Sequence, residues 1–176
     1  MIALESTARS GTARTDCRVI VRRLYISPGH NFRGHHGCPP GQHPILTAQE
    51  LECHAGRGVV GDRYYDYKPD YKGQITFLDE AVYRSLCEML GVEVPRSALR
   101  RNVVLAGVDL NSLIGCDFAL QGVGFQGIEE CRPCYWMDHA VAPGAEDFLQ
   151  DRGGLRARIL TDGFIRPGVS ILARSR

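Results

Sequence analysis

Cys131 and Cys134, separated by Arg132 and Pro133, are the residues whose type and spacing best suit chemistry. Cysteines at this spacing occur in zinc sites, in dithiol redox sites and around single reactive thiols. If Pro133 opens a helix, Cys134 lies in its first turn, where the helix dipole and Arg132 favour the thiolate. Because the thiolate attacks sulfur donors and binds metals, Cys134 is the first candidate for a catalytic and metal-binding residue, with Cys131 beside it.

Three other interpretations of this cysteine pair stay open on the sequence alone. A tetrahedral zinc site needs four ligands, and the missing two would have to come from a distant loop, for example His36 or Cys38. A dithiol redox site would need the pair at the start of a helix in a βαβ unit, and that context is weak here. Both cysteines could also be small core residues, as free cysteines often are.

Arginine clusters form the second group of candidates. Arg100, Arg101 and Asn102 directly precede an apolar run, and Arg152, Arg156 and Arg158 flank Gly153-Gly154. Arginines at strand ends beside glycines can receive phosphate oxygens, although a solvated surface is the simpler explanation. Only two of the 21 basic residues are lysines, Lys68 and Lys72, a bias that codon usage in a GC-rich genome would also produce.

Two further patterns give weaker indications. Gly122 to Gly127 fits the dinucleotide-binding pattern of three glycines, but no helix can follow it, so these glycines are expected in a hairpin. The loop at 28–44 contains His30, His35, His36 and His43 with Cys38, which could bind a metal, contact an anion or have no role. The tyrosines at 64–71 are expected to pack at the surface, since no basic stripe accompanies them.

The elements that must position these residues are mostly short strands. Strands are expected at 17–27, 45–53, 74–78, 102–105, 117–121, 124–129, 155–160 and 168–173. One helix is capped by Asp79, runs to about Leu90 and stops at Gly91; short helices are expected from Pro133 to Ala140 and over 146–150. This pattern predicts a single, mainly β domain at 17–175, a barrel with a few peripheral helices, after a flexible tail at 1–16.

Composition and charge limit the partners and the cellular compartment that we expect for this chain. The net charge of +1 gives no indication of nucleic acid or a membrane surface as a partner. The seven cysteines are odd in number and irregularly spaced, and neither a signal peptide nor a long apolar run is apparent. We therefore expect free thiols in a reducing, cytoplasmic compartment.

Taken in order, several segments resemble the MOSC family, the domain named after the C-terminal part of molybdenum cofactor sulfurases. The matching pieces are Gly61-Asp62-Arg63, Gln74 to Leu78 with Glu80, Arg100 to Val104, Asp109-Leu110, Leu113 to Gly115, Cys131 to Cys134, Gly153 to Arg158 and Gly163 to Gly168. They cover about residues 45–172. No single piece is decisive, but their order and spacing together are specific.

The resemblance implies a β-barrel and a key cysteine that falls on Cys134. In the family this cysteine is proposed to carry a persulfide, and in amidoxime-reducing relatives it binds the molybdenum of the pterin cofactor as a thiolate. Arg63, Arg100, Arg101, Asn102, Arg156 and Arg158 would then bind the cofactor. The expected function is reduction of an N-hydroxylated or similar small substrate with a separate redox partner.

Two alternative functions remain beside that expectation. The chain could be a sulfur carrier, loaded by a cysteine desulfurase and delivering sulfur to an acceptor. It could also be a zinc-stabilised binding module without enzymatic activity. The sequence shows neither the N-terminal barrel domain of the larger reductases nor the aminotransferase-like domain of the sulfurases. Pyridoxal phosphate is not expected, since a Schiff base would need Lys68 or Lys72 and no phosphate cradle surrounds them.

Overall fold

A computed structural model describes residues 15–32 and 39–175. These described residues form eleven strands: β1 Thr15–Ile26, β2 Leu46–Thr47, β3 Leu51–His54, β4 Gly58–Val59, β5 Ile75–Asp79, β6 Val103–Ala106, β7 Asp117–Leu120, β8 Val123–Glu130, β9 Leu155–Ile159, β10 Gly163–Ile165 and β11 Gly168–Ser175. The α-helices are α1 Glu80–Leu90, α2 Trp136–Ala140 and α3 Ala145–Phe148, and 3-10 helices span Arg96–Leu99 and Leu110–Leu113. His35, His36 and Cys38 lie outside the described residues, as does all but the end of the expected tail at 1–16.

Seven strands close into a barrel. Their order is β1-β11-β7-β8-β9-β5-β6, and β6 pairs with β1 to complete the ring. β5 and β6 pair in parallel, whereas the other neighbouring strands of the ring are antiparallel. β2 extends one end of β1, and β10, β3 and β4 form a separate small sheet. The mainly β barrel predicted from the sequence is confirmed.

The parallel pair requires a crossover, and α1 provides it. The Asp79 carboxylate accepts a hydrogen bond from the backbone N–H of Ala81 at 2.8 Å, which caps the first turn. Gly91 ends the helix with φ at 66°, a left-handed conformation that favours glycine. The predicted start, length and end of this helix are confirmed.

The barrel encloses the larger of two apolar cores. Alternate residues of β8 and β9 point inward, and fully buried Phe77 and Phe125 pack edge to face near its centre, 5.4 Å apart. A second core lies between the barrel and the helices, where Leu86 of α1 and Leu149 pack against the outer side of β6. Leu99, before β6, belongs to the second core, whereas Val103 of β6 belongs to the first, so the chain passes from one core to the other around residues 100–102.

Several predicted boundaries are wrong. The strand expected at 45–53 is two strands, β2 and β3, and β10 and both 3-10 helices were not predicted. The helix expected to open at Pro133 begins at Trp136. Short apolar runs do not distinguish one strand from two, since only pairing partners fix where a strand ends.

The Gly122 hairpin was predicted correctly: β7 and β8 pair up to Leu120 and Val123 around it. In the parts of the chain that the structure describes, no helix is long and apolar enough to cross a membrane.

Candidate cysteine and arginine site

Cys134 lies at the junction of two adjoining cavities of about 140 Å³ each. We call them the arginine lobe and the aromatic lobe, and together the cleft. The residues that line both are Arg63, Tyr64, Arg100, Arg101, Cys134 and Met137. Cys134 is exposed and both it and Cys131 are free thiols. Cys134 is therefore accessible from both lobes.

The arginine lobe is strongly positive. Five arginines line it, contributed by four separate parts of the chain: Arg63, Arg100, Arg101, Arg132 and Arg156. Within the described residues, no aspartate or glutamate lines either lobe. Since guanidinium groups are always charged at neutral pH, the lobe has a positive field that an anion would neutralise.

Arg100 is the most unusual of these arginines. It is only 7% exposed, and its backbone adopts a left-handed conformation with φ at 56° at the end of the 3-10 helix. Its Nη2 donates to the carbonyl of Gly29 at 2.9 Å, but its buried Nη1 has no hydrogen-bond partner among the described residues. Burial, and then the nearby charge of Arg63, lowers the pKa of Arg100 to about 10. An unpaired buried donor at a cavity wall is what an anion-binding site provides.

Arg101 holds three segments of the site together. Its Nε donates to the Gly153 carbonyl at 2.9 Å, its Nη1 to the Leu99 carbonyl at 2.8 Å and its Nη2 to the Cys131 carbonyl at 3.1 Å. These are all neutral acceptors, so the charge of Arg101 is not cancelled by a carboxylate. Arg101 therefore both fixes the backbone at the start of the cysteine segment and adds positive charge to the lobe.

The glycine pair at 153–154 allows its backbone to lie close to the backbone of Cys131. A Cβ added to Gly153 would lie 2.2 Å from the carbonyl oxygen of Cys131, so only glycine fits there. The Gly154 carbonyl accepts a hydrogen bond from the Cys131 N–H at 2.7 Å. These glycines were predicted to lie beside a bound phosphate, whereas in the structure they pack against the cysteine segment.

Asn102 is buried in a polar network and is not among the residues lining the cleft. Its Oδ1 accepts hydrogen bonds from the N–H and the hydroxyl of Thr76 at 3.0 and 2.8 Å, and its Nδ2 donates to Asp62 Oδ2 at 3.0 Å. Asp62 in turn accepts from the Ser27 N–H at 3.0 Å. This network joins the segments that carry Arg63 and Arg101, so Asn102 acts on the site by holding those arginines in place.

The two arginines of β9 have different surroundings. Arg156 lines the arginine lobe and donates to Glu129 Oε1 at 2.9 Å, while Lys72 binds the same carboxylate at 2.7 Å. Hydrogen bonding from Lys72 is the largest of the effects that lower the pKa of Glu129. Arg158 does not line the cleft; it donates to the carbonyl of Asp70 at 3.1 Å. Of the residues predicted for the site, five line the arginine lobe together with Cys134: Arg63, Arg100, Arg101, Cys131 and Arg156.

The structural setting of Cys134 differs from the one predicted. Because α2 begins at Trp136, Cys134 precedes the helix, and its carbonyl accepts a hydrogen bond from the Met137 N–H at 2.7 Å. The expectation that Cys134 lies in the first helical turn is wrong. The positive groups that share its cavity are guanidinium groups, which came from parts of the chain that only the barrel brings together.

Several cleft residues were not predicted as site residues, among them Tyr64, Tyr71, Arg132 and Met137. Burial is the largest effect that raises the pKa of Tyr71, whose ring packs 4.9 Å from that of Tyr64. Their tyrosine-rich segment was noted in the sequence, but no periodic pattern indicated which rings face the cleft. Among the described residues, no group of three or more His, Cys, Asp or Glu could hold a metal ion by itself.

Comparison with known proteins agrees with this architecture. The model of the MOSC domain matches residues 34–172, well over half of the chain. The chain belongs to the MOSC domain family. No curated protein matched this MOSC chain.

Solved structures share the fold of this MOSC domain. The YuaD protein from Bacillus subtilis superposes with a TM-score of 0.68 at 18% identity, covering 93% of this chain and 98% of that one. YiiM from Geobacillus stearothermophilus has a TM-score of 0.60 at 14% identity, covering 88% and 74%. YiiM from Escherichia coli has a TM-score of 0.59 at 14% identity, covering 92% and 71%. At these identities the similarity shows the fold alone.

Proposed function

We propose that this MOSC domain binds molybdenum cofactor and reduces a small N-hydroxylated or similar substrate, with Cys134 as the thiolate ligand of the metal. The observation that supports this most directly is the exposed Cys134 thiol beside a cavity lined by five arginines and no carboxylate. The family is associated with molybdenum-cofactor sulfurase-like proteins, and the chemistry of the cleft suits such a group.

The residues present fit the two ends of the cofactor. A soft thiolate suits the metal, and guanidinium groups suit a phosphate. The unpaired Nη1 of Arg100 offers a buried donor for a phosphate oxygen. Arg63, Arg100 and Arg101 would hold the phosphate and pterin, together with Arg156, which lines the same lobe. When bound, the cofactor would supply two-electron redox chemistry.

The chain's own residues would bind the cofactor and orient the substrate. Arg101 fixes the backbone of the cysteine segment through the Cys131 carbonyl, and Gly153-Gly154 closes against it. The open side of the cleft would admit the small substrate, and electrons would come from a separate redox partner. A reducing, cytoplasmic compartment would keep the Cys134 thiol available.

Metal content tests this function. We expect Cys134→Ser, purified from a host that makes molybdopterin, to fold normally but to lose at least about nine-tenths of its molybdenum, because the hydroxyl is a poor soft-metal ligand. Cys87→Ser is the matched control, since Cys87 is half-buried on α1 outside the cleft. Equal molybdenum in Cys134→Ser and the parent protein would rule the proposal out.

A sulfur-carrier function is the second candidate, because Cys131 and Cys134 line the same lobe as free thiols. The Cys134 thiolate would take the terminal sulfur from the persulfide of a cysteine desulfurase, leaving the desulfurase thiolate behind. Without an acceptor, the Cys131 thiolate would attack Cys134 Sγ and release hydrosulfide. The two cysteines are then oxidised to a disulfide, the sulfur is reduced, and a dithiol reductant restores both thiols.

Intact-mass measurement after incubation with a sulfur-loaded desulfurase tests this alternative. We expect one added sulfur on the parent protein, none on Cys134→Ser, and a longer-lived adduct on Cys131→Ser. Absence of the adduct from the parent protein would exclude the sulfur-carrier function without affecting the molybdenum test.

A further inference from the structure

The aromatic lobe differs in chemistry from the arginine lobe that adjoins it. Phe32 and Trp136 form its wall, with ring centroids 4.9 Å apart, and Met137 lies beside them. Of the five arginines of the arginine lobe, Arg132 and Arg156 do not reach it. The aromatic lobe therefore has fewer arginines than the arginine lobe, and Phe32 and Trp136 are apolar rings that line it alone.

The rings of this lobe are held rather than free. Trp136 is only 7% exposed, packs 4.7 Å from the ring of Tyr135, and opens α2 directly after the Cys134 segment. The guanidinium of Arg100 lies 5.6 Å from the centre of the Phe32 ring. Because these side chains are already packed, a flat apolar ligand would bind them at a small cost in side-chain entropy.

We infer that the aromatic lobe is the substrate subsite and that it selects substrates with a flat aromatic ring over aliphatic ones. This rests on the proposed function, since it assigns the arginine lobe to the anionic cofactor. The ring of the substrate would lie against Phe32, Trp136 and Met137, and its reacting group would reach the junction at Cys134. Aromatic contacts and apolar burial would supply the selectivity.

Two hydroxamic acids with the same N-hydroxylated group provide the probes. Benzohydroxamic acid carries an aromatic ring, and acetohydroxamic acid carries a methyl group in its place. Trp136 is the only tryptophan of the chain, so its fluorescence reports directly on the lobe. Titrated into the full chain, with and without cofactor, benzohydroxamic acid should bind about tenfold more tightly than acetohydroxamic acid.

Phe32→Leu tests the wall while keeping the tryptophan reporter. We expect it to weaken benzohydroxamic acid binding about fivefold and to leave acetohydroxamic acid binding unchanged. Phe164→Leu is the matched control, because Phe164 is 41% exposed and lies on β10 outside the cleft. It should change neither affinity.

The outcomes separate this inference from the proposed function. Equal affinities for the two probes, or equal effects of the two phenylalanine variants, would overturn the inference even if molybdenum is bound through Cys134. Loss of benzohydroxamic acid binding on cofactor loading would also overturn it, since the lobe would then belong to the cofactor. A tenfold preference in a protein that never retains molybdenum would support the subsite and reject only the proposed function.

Discussion

Arg96 differs in its electrostatic surroundings from Arg100 and Arg101, although only a few residues separate them in the chain. Arg96 donates through Nε and Nη2 to the buried carboxylate of Glu80, at 3.0 and 2.8 Å. The side-chain hydrogen bonds of Arg100 and Arg101 go only to backbone carbonyls, and Nη1 of Arg100 has no hydrogen-bond partner among the described residues. The pair of Arg96 and Glu80 stabilises the crossover between β5 and β6. Arg100 and Arg101 line a cavity and have no carboxylate partner, which costs stability unless a ligand binds there.

The pKa shifts follow this difference. The hydrogen bonds from Arg96 lower the pKa of Glu80, and those to Glu80 raise the pKa of Arg96. Burial instead lowers the pKa of Arg100. A satisfied ion pair and an incompletely satisfied cation thus occur within one short stretch of chain, and the incompletely satisfied one lines the cleft.

Removing the paired carboxylate should have the largest effect. We expect Glu80→Ala to lower the free energy of unfolding by about 3 kcal/mol, because it leaves Arg96 without its carboxylate in a partly buried setting. Affinity for inorganic phosphate should stay unchanged. Chemical denaturation and a phosphate titration measure both quantities.

Glu93→Ala is the control for that experiment, since the Glu93 side chain is 78% exposed although it also pairs with Arg96, at 3.6 Å. Its effect should stay below about 0.5 kcal/mol. Equal destabilisation by the two variants would show that the crossover does not depend on the buried pair.

Removing an unpaired arginine should have the reverse pattern. We expect Arg100→Met to keep the free energy of unfolding within about 1 kcal/mol of the parent value, since a buried unpaired charge is removed. Phosphate binding, measured by calorimetry, should weaken at least about tenfold, because a charge-assisted hydrogen bond is lost.

Arg158→Met is matched to that variant, because Arg158 also bonds a backbone carbonyl but does not line the cleft. It should leave phosphate affinity within about twofold of the parent value. A drop as large as that of Arg100→Met would mean that overall charge, and not the lobe, binds the anion.

Acid should remove the stabilisation by the Glu80 pair. Its pKa is lowered in the folded protein, so the unfolded chain binds the proton more readily, and the stabilisation is complete above the unfolded value near 4.5. It is lost as the pH falls through the folded pKa. The stability difference between the parent and Glu80→Gln should therefore shrink between about pH 5 and pH 3. A difference that is constant over this range would contradict the assignment.

Arg84→Ala should have the smallest effect. The Arg84 side chain is 62% exposed and lies one helical turn from Glu80, with 3.3 Å between Nε and Oε1. Such a pair contributes about 0.3 kcal/mol. A loss above about 1 kcal/mol in chemical denaturation would show that Glu80 depends on Arg84 as well as on Arg96.

The sequence by itself determined the elements with strong local signals. Asp79 and Gly91 marked both ends of α1, since a capping carboxylate and a left-handed glycine act on their own backbone. The order of short strands and the MOSC motifs predicted the barrel, and the spacing of Cys131 and Cys134 identified the thiols.

Only the tertiary structure decided which charges face those thiols. Arg63, Arg100 and Arg156 come from different segments, and barrel closure places them around one cavity. In the folded chain Asn102 lies in a buried hydrogen-bond network and not in the cleft, and Cys134 lies before α2 and not within its first turn. The physical reason is that local sequence fixes backbone conformation over a few residues, whereas burial and the pairing of charges depend on strands distant in the chain.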